Sequence, residues 1–268
     1  MPPTQGVKPH DGFCQLGDKI QFLDKSLTHM EVGMRYWILG FLWALGMGNA
    51  WGQNVKTYIP PQAFEYKATI GQELETYFTA LPERNYVPAL IEHESCISLK
   101  HSKCWNSASR LKTSREEGAG LGQLTRAWTA DGTLRFDSLT DLRTRYKQDL
   151  AEARWETIYQ RPDVQIRIIV LMLRDSWNRL YDVKDTMGRI AMMDAAYNGG
   201  LGNVNKERRV CGLTKGCDSG LWFGHVEKHC LRSKKPLYAG RSVCDIRTYH
   251  VSDVLKTRLP KYQKFYGL

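Results

Sequence analysis

The spacing of apolar and polar positions predicts a mainly α-helical chain. Phe64, Ile70, Leu74, Tyr77 and Phe78 lie close to helical spacing and predict an amphipathic helix over 64–80, which Pro82 ends. Residues 85–95 predict a second helix, with Pro88 tolerated in its first turn. A polar, Ser-rich stretch then runs to Ser114, and a Gly-rich run follows over 118–122. Asp131-Gly132 predicts a turn. Helices are expected over 138–158 and 163–182. The second has Val164, Ile168, Leu171 and Met172 on one face and Asp163 as a cap near its start. A short helix over 187–198 carries Ile190, Met193 and Tyr197 on one stripe, and Gly199-Gly200 stops it. Residues 201–248 are rich in Gly, Cys and basic side chains without a clear period, and 250–263 read as a last helix. No set of alternating strands stands out. The expected class is mainly α, with a disulfide-tied, loop-rich C-terminal part.

One segment breaks the amphipathic pattern. Arg35 precedes an uncharged run from Tyr36 to Val55, whose strongly apolar part ends at Met47 and leads into the small residues around Ala50-Trp51-Gly52. A basic residue, a short apolar stretch and then small residues predict a secretory signal. A weak membrane anchor is the alternative, since 20 uncharged residues just span a bilayer. The chain thus divides into an extension (1–35), a signal peptide or weak anchor (36–52), a linker (53–63) that holds Pro60-Pro61, and one main domain (64–268). The expected location is the periplasm, or the inner membrane through this segment.

Charge sharpens that picture. A chain of 268 residues is long enough for one sizeable core, and its formal net charge is +10. Residues 201–268 hold fourteen Lys/Arg against five Asp/Glu, so nearly all the excess sits in the last quarter. Such a bias favours a polyanionic partner, whether nucleic acid, anionic lipid or anionic cell wall, among which charge cannot choose, or serves solubility alone. No zinc-finger or RNA-binding signature accompanies it, so nucleic acid is not the expected partner. A monomer is expected.

Of seven cysteines, Cys14 precedes the apolar segment. The other six, Cys96, Cys104, Cys211, Cys217, Cys230 and Cys244, follow it. An even number beyond an export signal suits an oxidising compartment. Sequence proximity suggests the pairs Cys96–Cys104, Cys211–Cys217 and Cys230–Cys244. The alternative is a zinc site drawn from Cys211, Cys217, His225, His229 and Cys230, but the Cys-x5-Cys spacing is wider than zinc modules use.

The candidate catalyst is Glu94. Three and four residues back on its helix lie Ile91 and Leu90, so Glu94 ends a buried stripe. A carboxyl group set against apolar side chains is hard to ionise, which is the state a general acid needs. Glu92 falls on another face, and its replacement by Gln is expected to be nearly silent. His250, Ser252 and Asp253 contain the residue types of a catalytic triad, but crowding within four positions is no evidence for one.

Three blocks follow one another along the chain: Glu94-Ser95, then Ser114 with Gly120-Leu121-Gly122-Gln123, then Ala195-Ala196-Tyr197-Asn198-Gly199-Gly200. In this order they resemble the soluble lytic transglycosylases, which have a lysozyme-like (goose-type) helical fold. That family carries Glu-Ser at a helix end, a Gly-Leu-Met-Gln block with a Ser six residues before it, and Ala-Tyr-Asn-Ala-Gly. The resemblance covers roughly residues 85–205. With the apolar segment and the basic C-terminal region, the arrangement is similar to endolysins of Mu-like tailed phages.

The resemblance implies that Glu94 protonates the bond between N-acetylmuramic acid and N-acetylglucosamine in peptidoglycan. It implies that the substrate's acetamido oxygen stabilises the cation at C1, and that Glu94 then takes the C6 hydroxyl proton as a 1,6-anhydro ring closes. Tyr197 would hydrogen-bond Glu94 or the substrate, Gln123 and Asn198 would hold sugar groups, and Ser114 would contact the acetamido region. No metal or organic cofactor is implied. Core packing for Tyr197, helix termination for Asn198 and a surface amide for Gln123 are the plainer alternatives. Glu117 and Asp194 are candidates for a second carboxylate, with surface positions as the alternative. Gly122 stands where the family has Met, which removes a side chain from the cleft floor. Rival functions are a bacterial transglycosylase serving a secretion or conjugation machine, a muramidase that uses water, and an inactive sugar-binding module.

Overall fold

A computed structural model describes residues 54–114, 116–238 and 240–266. Cys14, the expected export segment and the extension before it lie outside the described residues. No helix among the described residues is long and apolar enough to cross a membrane.

About half of the described chain is helical. The helices are α1 (Gln62–Glu65), α2 (Lys67–Tyr77), α3 (Tyr86–Ser95), α4 (Ser138–Arg145), α5 (Pro162–Arg179), α6 (Thr186–Gly199), α7 (Leu201–Gly212), α8 (Val243–Ser252) and α9 (Leu259–Tyr262). A π-helical turn over Asp253–Arg258 joins α8 to α9 without a break. Two of these sit at the centre. In α3, Tyr86, Val87, Ala89, Leu90 and Ile91 are fully buried, and in α6 every residue from Ile190 to Gly199 is buried. Each fully buried apolar side chain contributes about 1.5–3 kcal/mol relative to an exposed one.

The long helix α5 joins two apolar clusters. Val164, Ile168 and Leu171, the face legible in the sequence, pack with Ala119, Leu124, Leu139, Leu142, Leu150 and Ile158. Ile166, Ile169, Val170 and Leu173 on its other face join the main core with α3 and α6. A helix apolar on two faces is one that is enclosed on both.

Three expectations need correction. First, a four-stranded antiparallel sheet is present: β1 (Arg110–Lys112), β2 (Glu116–Ala119), β3 (Leu124–Trp128) and β4 (Leu134–Asp137), paired in chain order. The expected turn at Asp131-Gly132 is the β3–β4 connection, with Thr129 N–H bonded to Thr133 O at 2.9 Å. The sheet escapes pattern reading because β2 is Glu-Glu-Gly-Ala, without a β-branched or aromatic residue. What holds β2 is charge: Glu117 is fully buried, and Arg126, its register partner on β3, donates to Oε2 at 3.0 and 2.9 Å.

Second, the helix expected over 138–158 stops at Arg145. Turns then carry Leu150 and Ala153 into the sheet-side cluster. The Asp137 cap accepts from Thr140 N–H at one end, and Trp155 Nε1 donates back to the same carboxylate. Third, 201–248 is not all loop. It holds α7, a short hairpin of β5 (Pro236–Tyr238) and β6 (Arg241–Ser242), and most of α8. Helix α7 hides its period because two of its inward residues, Glu207 and Arg208, are charged. Helix α8 begins with a reciprocal cap between Ser242 and Asp245.

All three suggested disulfides are formed, Cys96–Cys104, Cys211–Cys217 and Cys230–Cys244. His229 lies beside Cys211 and Cys217, but those two sulfurs are bonded to each other. The longest of the loops, 14 residues in sequence separation, is close to the size for which chain-entropy arguments give about 3 kcal/mol.

Candidate active site

Glu94 stands in the last turn of α3, on the stripe that Leu90 and Ile91 bury. The residues after it lock this helix end. Ser95 Oγ donates to Ile91 O at 2.7 Å and accepts from Trp105 N–H at 3.2 Å. The Cys96–Cys104 bond returns the intervening loop to the same place. The Glu94 side chain is only 1% exposed.

Its partner comes from α8. His250 Nε2 lies 2.9 Å from Glu94 Oε1, and His250 Nδ1 lies 2.7 Å from Asp194 Oδ2 on α6. Tyr86 at the start of α3 donates to the other Asp194 oxygen at 2.8 Å. Beside them, His93 Nδ1 lies 2.6 Å from Asp253 Oδ2, and the rings of His93 and His250 meet edge-on at 4.2 Å. Burial opposes charge on His250, but the Asp194 carboxylate, its hydrogen bond and the contact with Glu94 outweigh burial and lift the imidazole to about 10. Burial and the neighbouring His250 push His93 below its ordinary value, against the pull of Asp253. Asp253 is itself held down to about 2. Burial works against its charge, but His93 and Arg258 hold it ionised.

The second and third sequence blocks are tied to each other. Tyr197 OH donates to Gly122 O at 2.8 Å. Burial raises this phenol well above its ordinary value, and the nearby Glu94 and Asp194 carboxylates add to that, so it stays protonated. The Gly120–Gln123 connection between β2 and β3 is fastened from α5 as well, where Gln165 Oε1 accepts from Leu121 N–H at 2.8 Å. Gly120 has φ +64°, and a Cβ there would meet Gln165 Oε1 at 2.0 Å, so only glycine fits.

Gly122 is a different case from the sequence expectation. No open floor lies beneath it. A Cβ there would meet Tyr197 OH at 2.6 Å and Ile169 Cγ1 at 2.7 Å. Gly122→Ala is therefore expected to destabilise the fold by about 1–3 kcal/mol through overpacking. Denaturant unfolding checks this, and an unchanged midpoint would show that the contact relaxes freely.

The structure sorts the remaining residues named from sequence. Gln123 is buried, not a surface amide. It has φ +50°, and its Nε2 donates to Gly120 O at 2.9 Å. Asn198 is buried, and its Nδ2 has no hydrogen-bond partner among the described residues. Ser114 is exposed in the β1–β2 turn. The register pairs Lys112 with Glu117 at that end and Arg110 with Ala119 at the other, so the whole of β2 separates Ser114 from the Gly120–Gln123 connection. That is roughly 13 Å of strand, so Ser114 and Gln123 lie at opposite ends of β2.

Neither second-carboxylate candidate is on the surface. Asp194 is fully buried and joined to His250 and Tyr86. Glu117 is bound by Arg110, Arg126 and Tyr159. Burial opposes its charge, but these three hydrogen bonds hold its carboxyl down at about 2, which is unsuited to giving or taking a proton near neutrality. His250 is the residue that sequence reasoning set aside. Its partners lie 56 and 156 positions away, which no local motif displays.

A cavity of about 260 Å³ opens beside Tyr197, with Ser138, Asp141, Met172 and Leu201 also on its walls. A larger one, about 510 Å³, lies against the disulfide-tied loop after Glu94, with Tyr58, Tyr66, His101 and Asn106 on its walls. Glu94 lines neither. No protein-family model matches the chain, and no curated protein matches it either.

Proposed function

We propose that the chain is a peptidoglycan lytic transglycosylase of lysozyme-like fold, with Glu94 as its acid/base. The observation that carries this reading is the convergence of three blocks far apart in sequence. Tyr197 binds Gly122, and Asp194, on the same helix as Tyr197, is linked through His250 to Glu94. Glycosidases commonly place two carboxylates across the scissile bond. Here Asp194 is occupied by His250 and Tyr86, and Glu117 by two arginines and a tyrosine. That leaves a one-carboxylate route as the better match. Glu94 protonates the glycosidic oxygen, the substrate's acetamido oxygen supports C1, and Glu94 takes the C6 hydroxyl proton as the anhydro ring closes. The Asn198 Nδ2, without a hydrogen-bond partner among the described residues, offers a donor for a sugar oxygen or acetamido carbonyl. Three disulfides fit work outside the cytoplasm.

Mass analysis of fragments released from purified peptidoglycan tests the reading. Anhydro-muropeptides, each lighter by one water than a hydrolysis product and without a reducing end, are expected. Reducing muropeptides alone would make the protein a hydrolase, and no release at all would remove the enzymatic reading.

A further inference from the structure

We propose that His250 and Glu94 act as a single proton-holding pair, with Asp194 as the positioning residue that fixes which imidazole nitrogen faces the carboxyl group. The inference rests on the acid/base role given to Glu94 above.

His250 and Asp194 are fully buried, so both imidazole nitrogens need partners within the protein. An ionised Asp194 can only accept, so Nδ1 must carry a proton, and the Tyr86 hydroxyl occupies the second Asp194 oxygen. That fixes the tautomer question on one side and opens it on the other. Across the 2.9 Å gap between Nε2 and Glu94 Oε1 there is room for one proton. With the proton on Oε1, Glu94 is the acid and His250 is neutral. With the proton on Nε2, the two form a carboxylate–imidazolium pair. The net charge of the pair is the same in both forms, so passage between them buries no new net charge.

The bookkeeping of the reaction then closes on the pair. In the first step its one mobile proton leaves through Glu94 to the glycosidic oxygen as the C1–O bond breaks and the acetamido oxygen bonds to C1. Glu94 is left as carboxylate, and His250 keeps its Nδ1 proton on Asp194. In the second step the C6 oxygen bonds to C1, the acetamido oxygen leaves, and the C6 hydroxyl proton returns to the pair. No co-reactant is needed.

Among the described residues, the charged and titratable groups around His250 come from three elements. Helix α3 supplies Glu94, His93 and, through Asp194, Tyr86. Helix α6 supplies Asp194 and Tyr197, and His250's own helical run supplies Asp253 and Arg258 behind His93. Burial keeps both tyrosines neutral, Asp253 is ionised in its ion pair, and burial and His250 push His93 below its ordinary value. The elevation of His250 to about 10 agrees with a pair that keeps its proton well into the alkaline range.

The test is the pH profile of peptidoglycan cleavage by the full chain, for wild type, His250→Gln and Asp194→Asn. Wild type should hold its activity to high pH. His250→Gln removes the imidazole that shares the proton with Glu94, so the alkaline limb should fall by about one pH unit or more, with ~10-fold or greater loss at pH 8 and a smaller loss near pH 5. Asp194→Asn keeps the shape, weakens the hold on the proton and should move the limb the same way by less. A profile lowered equally at every pH in both variants overturns the pair while leaving Glu94 as catalyst. Absence of cleavage by the wild type removes the reading of Glu94 and this inference together. If neither variant folds, nitrogen-resolved NMR of histidine-labelled wild type decides. A His250 imidazole that keeps its Nδ1 proton throughout and titrates only well above pH 7 supports the pair, and loss of a ring proton below pH 7 overturns it.

Discussion

Glu94→Gln is expected to remove peptidoglycan clearing by a factor of about 10²–10⁴ while leaving the chain folded. The amide fills the same volume at the end of α3 and still offers an oxygen to His250 Nε2 across the 2.9 Å contact. It has no proton to give to a glycosidic oxygen and no charge with which to take one back. Asp194, itself held by the Tyr86 hydroxyl, remains to hold His250, so the thermal midpoint should stay within a few degrees of wild type. Turbidity of a peptidoglycan suspension measures the activity, and the unfolding midpoint measures the fold. Clearing at near wild-type rate would mean that Glu94 is not the catalyst. Loss of both clearing and fold would assign it a structural part instead.

What the sequence displayed depended on whether the signal was local. Helix α3 was expected over 85–95 and runs over 86–95, with Pro88 in its first turn and Leu90 and Ile91 four and three residues before Glu94 on the buried side. Helix α6 ends where Gly199-Gly200 said it would, with Gly200 at φ +85°. The disulfides follow nearest neighbours. The sheet was hidden because β2 is held by arginines on buried Glu117 instead of by apolar alternation. The candidate site was half legible for the same reason. Glu94, Tyr197, Asn198 and Gln123 belong to short blocks that can be matched by eye. His250 was passed over, since Asp253 beside it in sequence bonds to His93 while His250 reaches Asp194 and Glu94.

Charge counting misled in a similar way. The C-terminal quarter is rich in Lys and Arg, yet several of those cations point inward. Arg247 is buried against Glu207, Arg208 binds Asp182, and Arg258 and Lys261 surround Glu92. Burial lowers Arg247 and Lys261 from their ordinary values, against the pull of their carboxylate partners. The basic surface available to an anionic wall is therefore smaller than the residue count implies, because part of the excess is spent inside the fold.

Glu92→Gln, expected from sequence to be nearly silent, should instead cost about 3–5 kcal/mol of stability. Glu92 does lie on a different face from Glu94, but that face looks into protein, and the side chain is fully buried. Its Oε1 accepts from Arg258 Nη1 at 2.7 Å and stands 2.6 Å from Lys261 Nζ. Its Oε2 accepts from Tyr262 OH at 2.7 Å. Every neighbour is a donor. An amide turns one of the two acceptors into another donor and removes the charge that balances Lys261, whose side chain is 1% exposed. Asp253 still faces Arg258, so one cation keeps a carboxylate and the other does not. These contacts fasten α3 to the C-terminal helical run that carries His250, so their loss loosens the frame around the candidate site. For a domain of this size the unfolding midpoint should drop on the order of 10 °C. Glu92→Gln thus trades places with Glu94→Gln two positions away, one losing stability and the other losing chemistry. A midpoint within about 2 °C of wild type would show that water or a shifted Lys261 compensates, and that the buried carboxylate does not hold the C-terminal run in place.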